Sequence, residues 1–104
     1  MKNNHYEYKD YELIERSIRK AESLLRSKNK DAFTYITHNL FDVINVFDSS
    51  FAIKVYNNFK QFQINLIDNG DEGVYEKAII RFDELLSEYL HNIVVDLNEH
   101  HGVN

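Results

Sequence analysis

The chain has 104 residues, with 17 acidic against 12 basic side chains, a formal net charge of −5, and neither Cys nor Pro. This length predicts a single domain over residues 1–104, and the lack of Cys excludes disulfides and thiolate metal sites. The opening residues are polar, and the apolar runs are far shorter than the roughly 20 residues of a membrane span. We therefore expect a soluble, cytoplasmic protein without a leader.

The first predicted helix runs from Asp10 to Ser27. Its apolar residues recur at alternating spacings of three and four, which is the period of one helix face. They are Tyr11, Ile14, Ile18, Ala21 and Leu25. On the opposite face an acid precedes a base by four positions, the favoured order for ion pairs within a helix. The pairs are Glu12/Arg16, Glu15/Arg19 and Glu22/Arg26.

Two more helices are predicted in the central stretch, residues 31–68, which holds six of the seven Phe residues. The second helix begins after Asp31, a good N-cap, and ends at Phe47. Asp48-Ser49-Ser50 can cap the third helix, which runs from Phe51 to Ile67. The core-facing residues are Phe33, Ile36, Leu40, Val43/Ile44 and Phe47, then Ala52, Val55/Tyr56, Phe59, Phe62 and Leu66. We expect these two helices to pack against each other and to supply most of the core.

The fourth predicted helix is the longest. It follows the turn signal Asp68-Asn69-Gly70-Asp71, begins near Asp71 or Gly73, and extends to about Asn98. At about 1.5 Å per residue it is about 40 Å long, so its last turns overhang or cover the end of the bundle. Four amphipathic helices with short connections predict an all-α fold, an antiparallel four-helix bundle with a long C-terminal helix.

Charge is distributed unevenly. Residues 1–67 hold eight acids and ten bases, whereas residues 68–104 hold nine acids against Lys77 and Arg81. The C-terminal third repels nucleic-acid phosphates and attracts basic partners. The basic residues of the first helix could touch phosphate, but three of them already have acidic partners on that helix. We therefore expect a protein partner and neither nucleic-acid nor membrane binding.

Residue patterns for catalysis or metal binding are weak. Glu88 and His91 have the Glu-x-x-His spacing of di-iron bundles, but such sites need two of these pairs and only one occurs. His38 with Asp42, and His100 with Asp96, are further pairs that could bind a metal incidentally. The aromatic residues could line a ligand cavity, but their helical spacing favours a core. The sequence thus predicts a non-enzymatic protein without a cofactor or a metal site.

In size, helix content, acidity and composition, the chain resembles the small helical immunity proteins of colicins and contact-dependent growth inhibition systems. The resemblance covers the whole chain, without a matching residue motif. It implies an immunity protein or antitoxin that neutralises a basic bacterial toxin, such as a nuclease, by covering its active site with an acidic surface. Tyr side chains would anchor the contact. The predicted partner-binding residues are Asp71, Glu72, Tyr75, Glu76, Asp83, Glu84, Glu88, Tyr6 and Tyr8, with the carboxylates at 72, 76 and 83 on one ridge.

A different class of protein also fits the composition. A helical adaptor or regulatory protein of phage or plasmid origin, with a homodimeric bundle, needs no active site either. The immunity-protein hypothesis instead predicts a monomer or a weak dimer in the absence of the toxin. A small transcriptional regulator would need a basic recognition helix, to which only the first predicted helix comes near.

Overall fold

The computed structural model describes residues 7–100, with side chains described as far as residue 96. It contains four helices and no strand in this part of the chain, so the predicted all-α fold is confirmed. Helix α1 is Tyr8–Arg26, and α2 covers residues 32–47 as three successive segments, Ala32–Thr34, Tyr35–Leu40 and Phe41–Phe47. Helices α3 and α4 are Ser49–Asn69 and Val74–His100.

Helix α1 begins with a capping box. The Glu7 side chain accepts from the backbone of the first turn, and the Glu7 N–H donates to Asp10 Oδ2 at 2.9 Å. These bonds satisfy donors that a helix start otherwise leaves unpaired. The buried face matches the predicted apolar stripe, with Ile14, Ile18, Ala21 and Leu25 in the core and Tyr11 partly buried against it.

Helix α2 differs from the regular α-helix that its sequence predicts. Its middle segment, Tyr35–Leu40, is a π-helix, in which each turn holds more residues than in an α-helix. Thr37 is buried there, and its hydroxyl donates to the Phe33 carbonyl at 2.9 Å. The prediction that Asp31 caps this helix is wrong, because Asp31 has helical dihedral angles and makes no side-chain cap bond.

Helices α2 and α3 form an antiparallel pair, the α2–α3 hairpin. Asp48 caps α3, since its Oδ1 accepts from the Phe51 N–H at 3.1 Å, as the sequence suggested. The rings of Phe41 and Tyr56 meet edge to face at 5.8 Å near one end of the hairpin. Near the other end, Gln63 Nε2 donates to Thr34 Oγ1 at 3.3 Å.

Helix α4 packs antiparallel to α3, and the two join through the predicted turn. Gly70 has φ 69° and ψ −157°, a conformation that is almost confined to glycine. Phe59 is fully buried and meets Phe82 of α4 edge to face, with ring centroids 5.7 Å apart. Phe51 stacks on Tyr89 at 4.5 Å further along the pair. All four helices supply core residues, and α4 buries more of them than any other helix. The expectation that the second and third helices supply most of the core is therefore wrong.

Helix α4 is the longest helix, with 27 residues, as predicted. The structure extends 49 Å along its longest axis, and its radius of gyration of 14.4 Å exceeds the roughly 13 Å of a compact chain of this size. Among the side chains that the structure describes, Ile93 is the last that is fully buried, and Val94 and Val95 after it are exposed. None of the helices in residues 7–100 combines the length and apolar character needed to cross a membrane.

Candidate functional site

The acidic start of α4 lies against the C-terminal end of α1. Lys28 Nζ lies 3.3 Å from Asp71 Oδ2 and 3.3 Å from Glu76 Oε2, so one ammonium bridges two carboxylates. Hydrogen bonding to Asp71, and then to Glu76, raises the pKa of Lys28 above its ordinary value. The pKa of Glu76 is lowered, first by a bond from its own backbone N–H and then by Lys28. Glu76 also lies in the first turn of α4, where the helix dipole favours an anion.

A second bridge of the same kind lies about two turns further along α4. Arg26 Nη2 lies 2.9 Å from Glu22 Oε2 and 3.5 Å from Asp83 Oδ2. The bond to Glu22 is the first cause of the raised pKa of Arg26. We call these six residues the α1–α4 seam: Glu22, Arg26, Lys28, Asp71, Glu76 and Asp83. Four carboxylates and two cations leave the seam with a net charge of −2.

The backbone at the end of α1 sets the position of Lys28. The N–H of Lys28 donates to the carbonyl of Leu25, and that of Asn29 donates to the carbonyl of Leu24, which is the Schellman pattern. This pattern needs a left-handed residue, normally glycine, and Lys28 fills the position with φ 54°. A lysine there is strained relative to glycine. Its side chain instead supplies the cation that joins α1 to the start of α4.

An apolar groove of about 300 Å³ runs along the same pair of helices. Its deep residues, Ile18, Phe82 and Leu86, belong to the core, and Leu90 is partly exposed. Carboxylates of the seam, Glu22 and Asp83, lie at its edge. The groove is lined by Ile18, Glu22, Phe82, Asp83, Leu86, Ser87 and Leu90. A lysine or arginine side chain suits such a groove, since its aliphatic stem packs on apolar atoms while its charge meets carboxylates.

The predicted ridge of carboxylates at positions 72, 76 and 83 is not formed. Glu76 and Asp83 lie seven residues apart on α4 and both face α1, as the ridge requires. Glu72, however, precedes the helix, because Gly73 has φ 78° and breaks the helical register. It lines a separate cavity on the α3 side, together with Phe62, Asn65, Asn69, Val74 and Lys77.

Two other predicted carboxylates lie away from the seam. Glu84 pairs with Arg81 at 3.3 Å, and Arg81 donates to Asn58 Oδ1 of α3 at 3.0 Å. Glu88 is exposed one turn beyond Glu84. These two acids therefore lie on the α3 side of α4, so the nine predicted residues do not form one surface.

The tyrosines predicted as anchors do not join the seam either. The prediction of a surface anchor at Tyr75 is wrong: only 4% of it is exposed, and its ring packs against Phe33 at 5.5 Å. Burial raises the pKa of its hydroxyl, with Asp71 as the next cause. Tyr8 is exposed, but it is the first residue of α1 and lies about 27 Å along the helix axis from Arg26. Tyr6 lies outside the described residues.

The candidate metal-binding pairs remain isolated in the described part of the chain. His38 and Asp42 are exposed on α2, and Glu88 and His91 are exposed on α4. No group of three potential ligands forms among the described residues. The side chain of His100, the partner proposed for Asp96, lies outside them. The described residues thus offer single pairs at most, whereas a dedicated site needs three or four ligands.

Comparison with known proteins gives no match: no family model fits the chain, and neither a curated protein nor a solved structure is significantly similar to it. The functional argument therefore depends on the geometry of the chain itself. On the α1–α4 seam and its groove, an excess of negative charge and accessible apolar area coincide.

Proposed function

We propose that this protein is a non-enzymatic, protein-binding inhibitor, an immunity protein or antitoxin that acts in the cytoplasm on a basic bacterial toxin such as a nuclease. The observation that carries the proposal is the α1–α4 seam, where four carboxylates are held by only two cations beside an apolar groove. A basic active site would meet complementary charge there, which speeds association and selects the partner.

The two bridges favour binding for a further reason. Each cation holds its two carboxylates close together in the unbound protein. A lysine or arginine of the partner would therefore meet carboxylates that are already positioned, which lowers the ordering cost of binding. The groove between the helices would receive the stem of that side chain or a neighbouring apolar residue. If that cationic residue of the toxin is one that binds its phosphate substrate, the bound inhibitor would cover the active site of the toxin.

The proposal is tested with two double variants of the same net charge. Glu76→Lys with Asp83→Lys reverses the charge on the seam, and Glu84→Lys with Glu88→Lys reverses it on the α3 side of the same helix. The chain is first used to capture its partner from the bacterium that encodes it. Affinity for the captured protein is then measured by titration calorimetry, and protection is measured by growth of cells that express both.

We expect the seam variant to bind at least about 100-fold more weakly and to fail to protect, since opposed like charges cost several kcal/mol at an interface. The control variant is expected to bind within about threefold of the wild type, as charges outside an interface contribute little. Equal losses in the two variants would contradict the seam as the binding site. A captured partner that is acidic, or that does not arrest growth, would contradict the proposed function itself.

A further inference from the structure

The outer face of α3 carries a row of exposed apolar side chains, which we call the isoleucine stripe: Ile53, Tyr56, Ile64 and Ile67. Their exposed fractions are 53%, 36%, 42% and 76%, respectively. Ile53, Ile64 and Ile67 point away from the buried residues of α3, whereas Tyr56 lies at the edge of the stripe and its ring contacts Phe41 of α2. Two pairs of exposed apolar side chains, one on each side of Lys60, make this face a candidate contact surface.

The stripe is symmetric about Lys60. Ile53 and Ile67 each lie seven residues from Lys60, and Tyr56 and Ile64 each lie four residues from it. A two-fold axis at Lys60, perpendicular to α3, therefore places Ile53 opposite Ile67 of a second, antiparallel copy, and Tyr56 opposite Ile64 of that copy. Such self-complementarity is what a two-fold interface requires. The paired residues would extend over about 21 Å of helix.

The charges beside the stripe are complementary in the same arrangement. Lys54 and Asp68 are exposed, and neither forms an ion pair with another described residue. They lie fourteen residues apart, close to a whole number of turns, and thus on the same flank of α3. The axis at Lys60 places Lys54, six residues before it, within about two residues of Asp68 of the other copy, which lies eight residues after it. Lys60 itself faces the Lys60 of the second copy, which weakens the pair.

We propose that the isoleucine stripe is the interface of a weak antiparallel homodimer, formed by α3 of two copies of this chain. A second copy fits better than a lipid surface, because membrane-bound helices flank their apolar face with many cations. Here the only charged side chains that α3 exposes are Lys54, Lys60 and Asp68, a net charge of +1. The dimer is independent of the proposed inhibitor function, since the stripe and the α1–α4 seam belong to different helices.

The first test measures molar mass by analytical ultracentrifugation over a range of concentrations. The wild type is expected to approach the dimer mass at high concentration. Lys60→Leu is expected to tighten association at least about tenfold, because it replaces a like-charge contact at the axis with an apolar one. Ile67→Lys is expected to weaken it to a similar extent, whereas Val46→Lys, on an exposed residue of α2, leaves it unchanged. A monomer mass at every concentration, for both the wild type and Lys60→Leu, would overturn the proposal.

The second test determines the orientation of the two copies. The chain has no Cys, so single introduced thiols report on proximity without a background. Lys60→Cys is expected to form a disulfide dimer on its own, since the residue lies on the axis. Ile53→Cys should not, but should crosslink when mixed with Ile67→Cys. Efficient crosslinking of Ile53→Cys alone would indicate parallel helices and overturn the proposed interface.

Discussion

The α2–α3 hairpin and the α1–α4 seam are held together by different interactions. The hairpin is packed by aromatic rings and bonded by neutral groups, as in the contact of Gln63 with Thr34. The seam is joined by exposed ion pairs, in which each cation is shared by two carboxylates. Exposed ion pairs contribute little to stability, whereas buried rings contribute much. The difference indicates that buried packing, such as that of the hairpin against α4, contributes far more to stability than the ion pairs of the seam, which can change their partners without unfolding the protein.

The strongest test of this division is a cavity in the hairpin. Phe59 is fully buried and contacts Phe62 and Phe82 at 5.6 and 5.7 Å. Phe59→Ala is expected to lower the free energy of unfolding by about 3–5 kcal/mol, since it removes buried area and leaves a void. Urea denaturation measures this change. Ile80→Ala, at an exposed position of α4, is the control and is expected to change it by less than about 0.5 kcal/mol. A loss below about 1 kcal/mol for Phe59→Ala would contradict the role of the hairpin.

A smaller effect is expected at the bend of the hairpin. Asp48→Ala removes the oxygen that accepts the Phe51 N–H and is expected to cost about 1 kcal/mol of unfolding free energy. Asp48→Asn retains an acceptor and should restore most of that stability. Equal losses in the two variants would mean that the charge of Asp48, and not its cap bond, is what matters.

Two substitutions at Lys28 test how much the ion bridge of the seam contributes to folding. Both Lys28→Gly and Lys28→Ala remove the bridge to Asp71 and Glu76, but only glycine relieves the left-handed backbone. Thermal unfolding is therefore expected to give a higher midpoint for glycine than for alanine. The loss of stability caused by Lys28→Gly should be smaller than the loss caused by Asp48→Ala. A large loss in the glycine variant would show that the ion bridge is needed for folding, contrary to the comparison above.

The smallest expected effect is the loss of stability at acidic pH that results from protonation of Glu76. Its pKa is lowered from the ordinary 4.5, so its contribution to stability is complete above pH 4.5 and is lost as the pH falls through the lowered value. Carboxyl titration by NMR measures this pKa. Lys28→Ala is expected to raise it only part of the way, because the first cause of the shift is the Glu76 backbone N–H. A complete return to 4.5 would assign the whole shift to Lys28.

Most of the fold follows from spacing in the sequence. The predicted helices 10–27 and 51–67 correspond to Tyr8–Arg26 and Ser49–Asn69, because the apolar period and the Asp48 cap act locally. The π-helical segment Tyr35–Leu40 was missed, since an extra residue per turn leaves the apolar spacing close to helical. The burial of Thr37 was missed with it, because a hydroxyl that bonds to its own helix can enter the core.

The candidate site was only partly predictable. The pair of Glu22 with Arg26 follows from the spacing of four within one helix, and it is formed. The pair of Glu12 with Arg16, both described residues, is not formed, which shows how little such exposed pairs contribute. The bridge from Arg26 to Asp83 joins two helices that are distant in sequence, and no local rule predicts such a contact. Gly73 explains why Glu72 does not lie on the predicted ridge, since the positive φ of Gly73 keeps the residues before it out of helix α4.

The most direct test of the seam as the binding surface is an NMR titration of the isotope-labelled chain with its captured partner. We expect the largest shift changes at the amides of the seam and around the partly exposed Leu90. Little change is expected at the isoleucine stripe. A map centred on the stripe, or on Glu84 and Glu88, with the seam unchanged, would contradict the account.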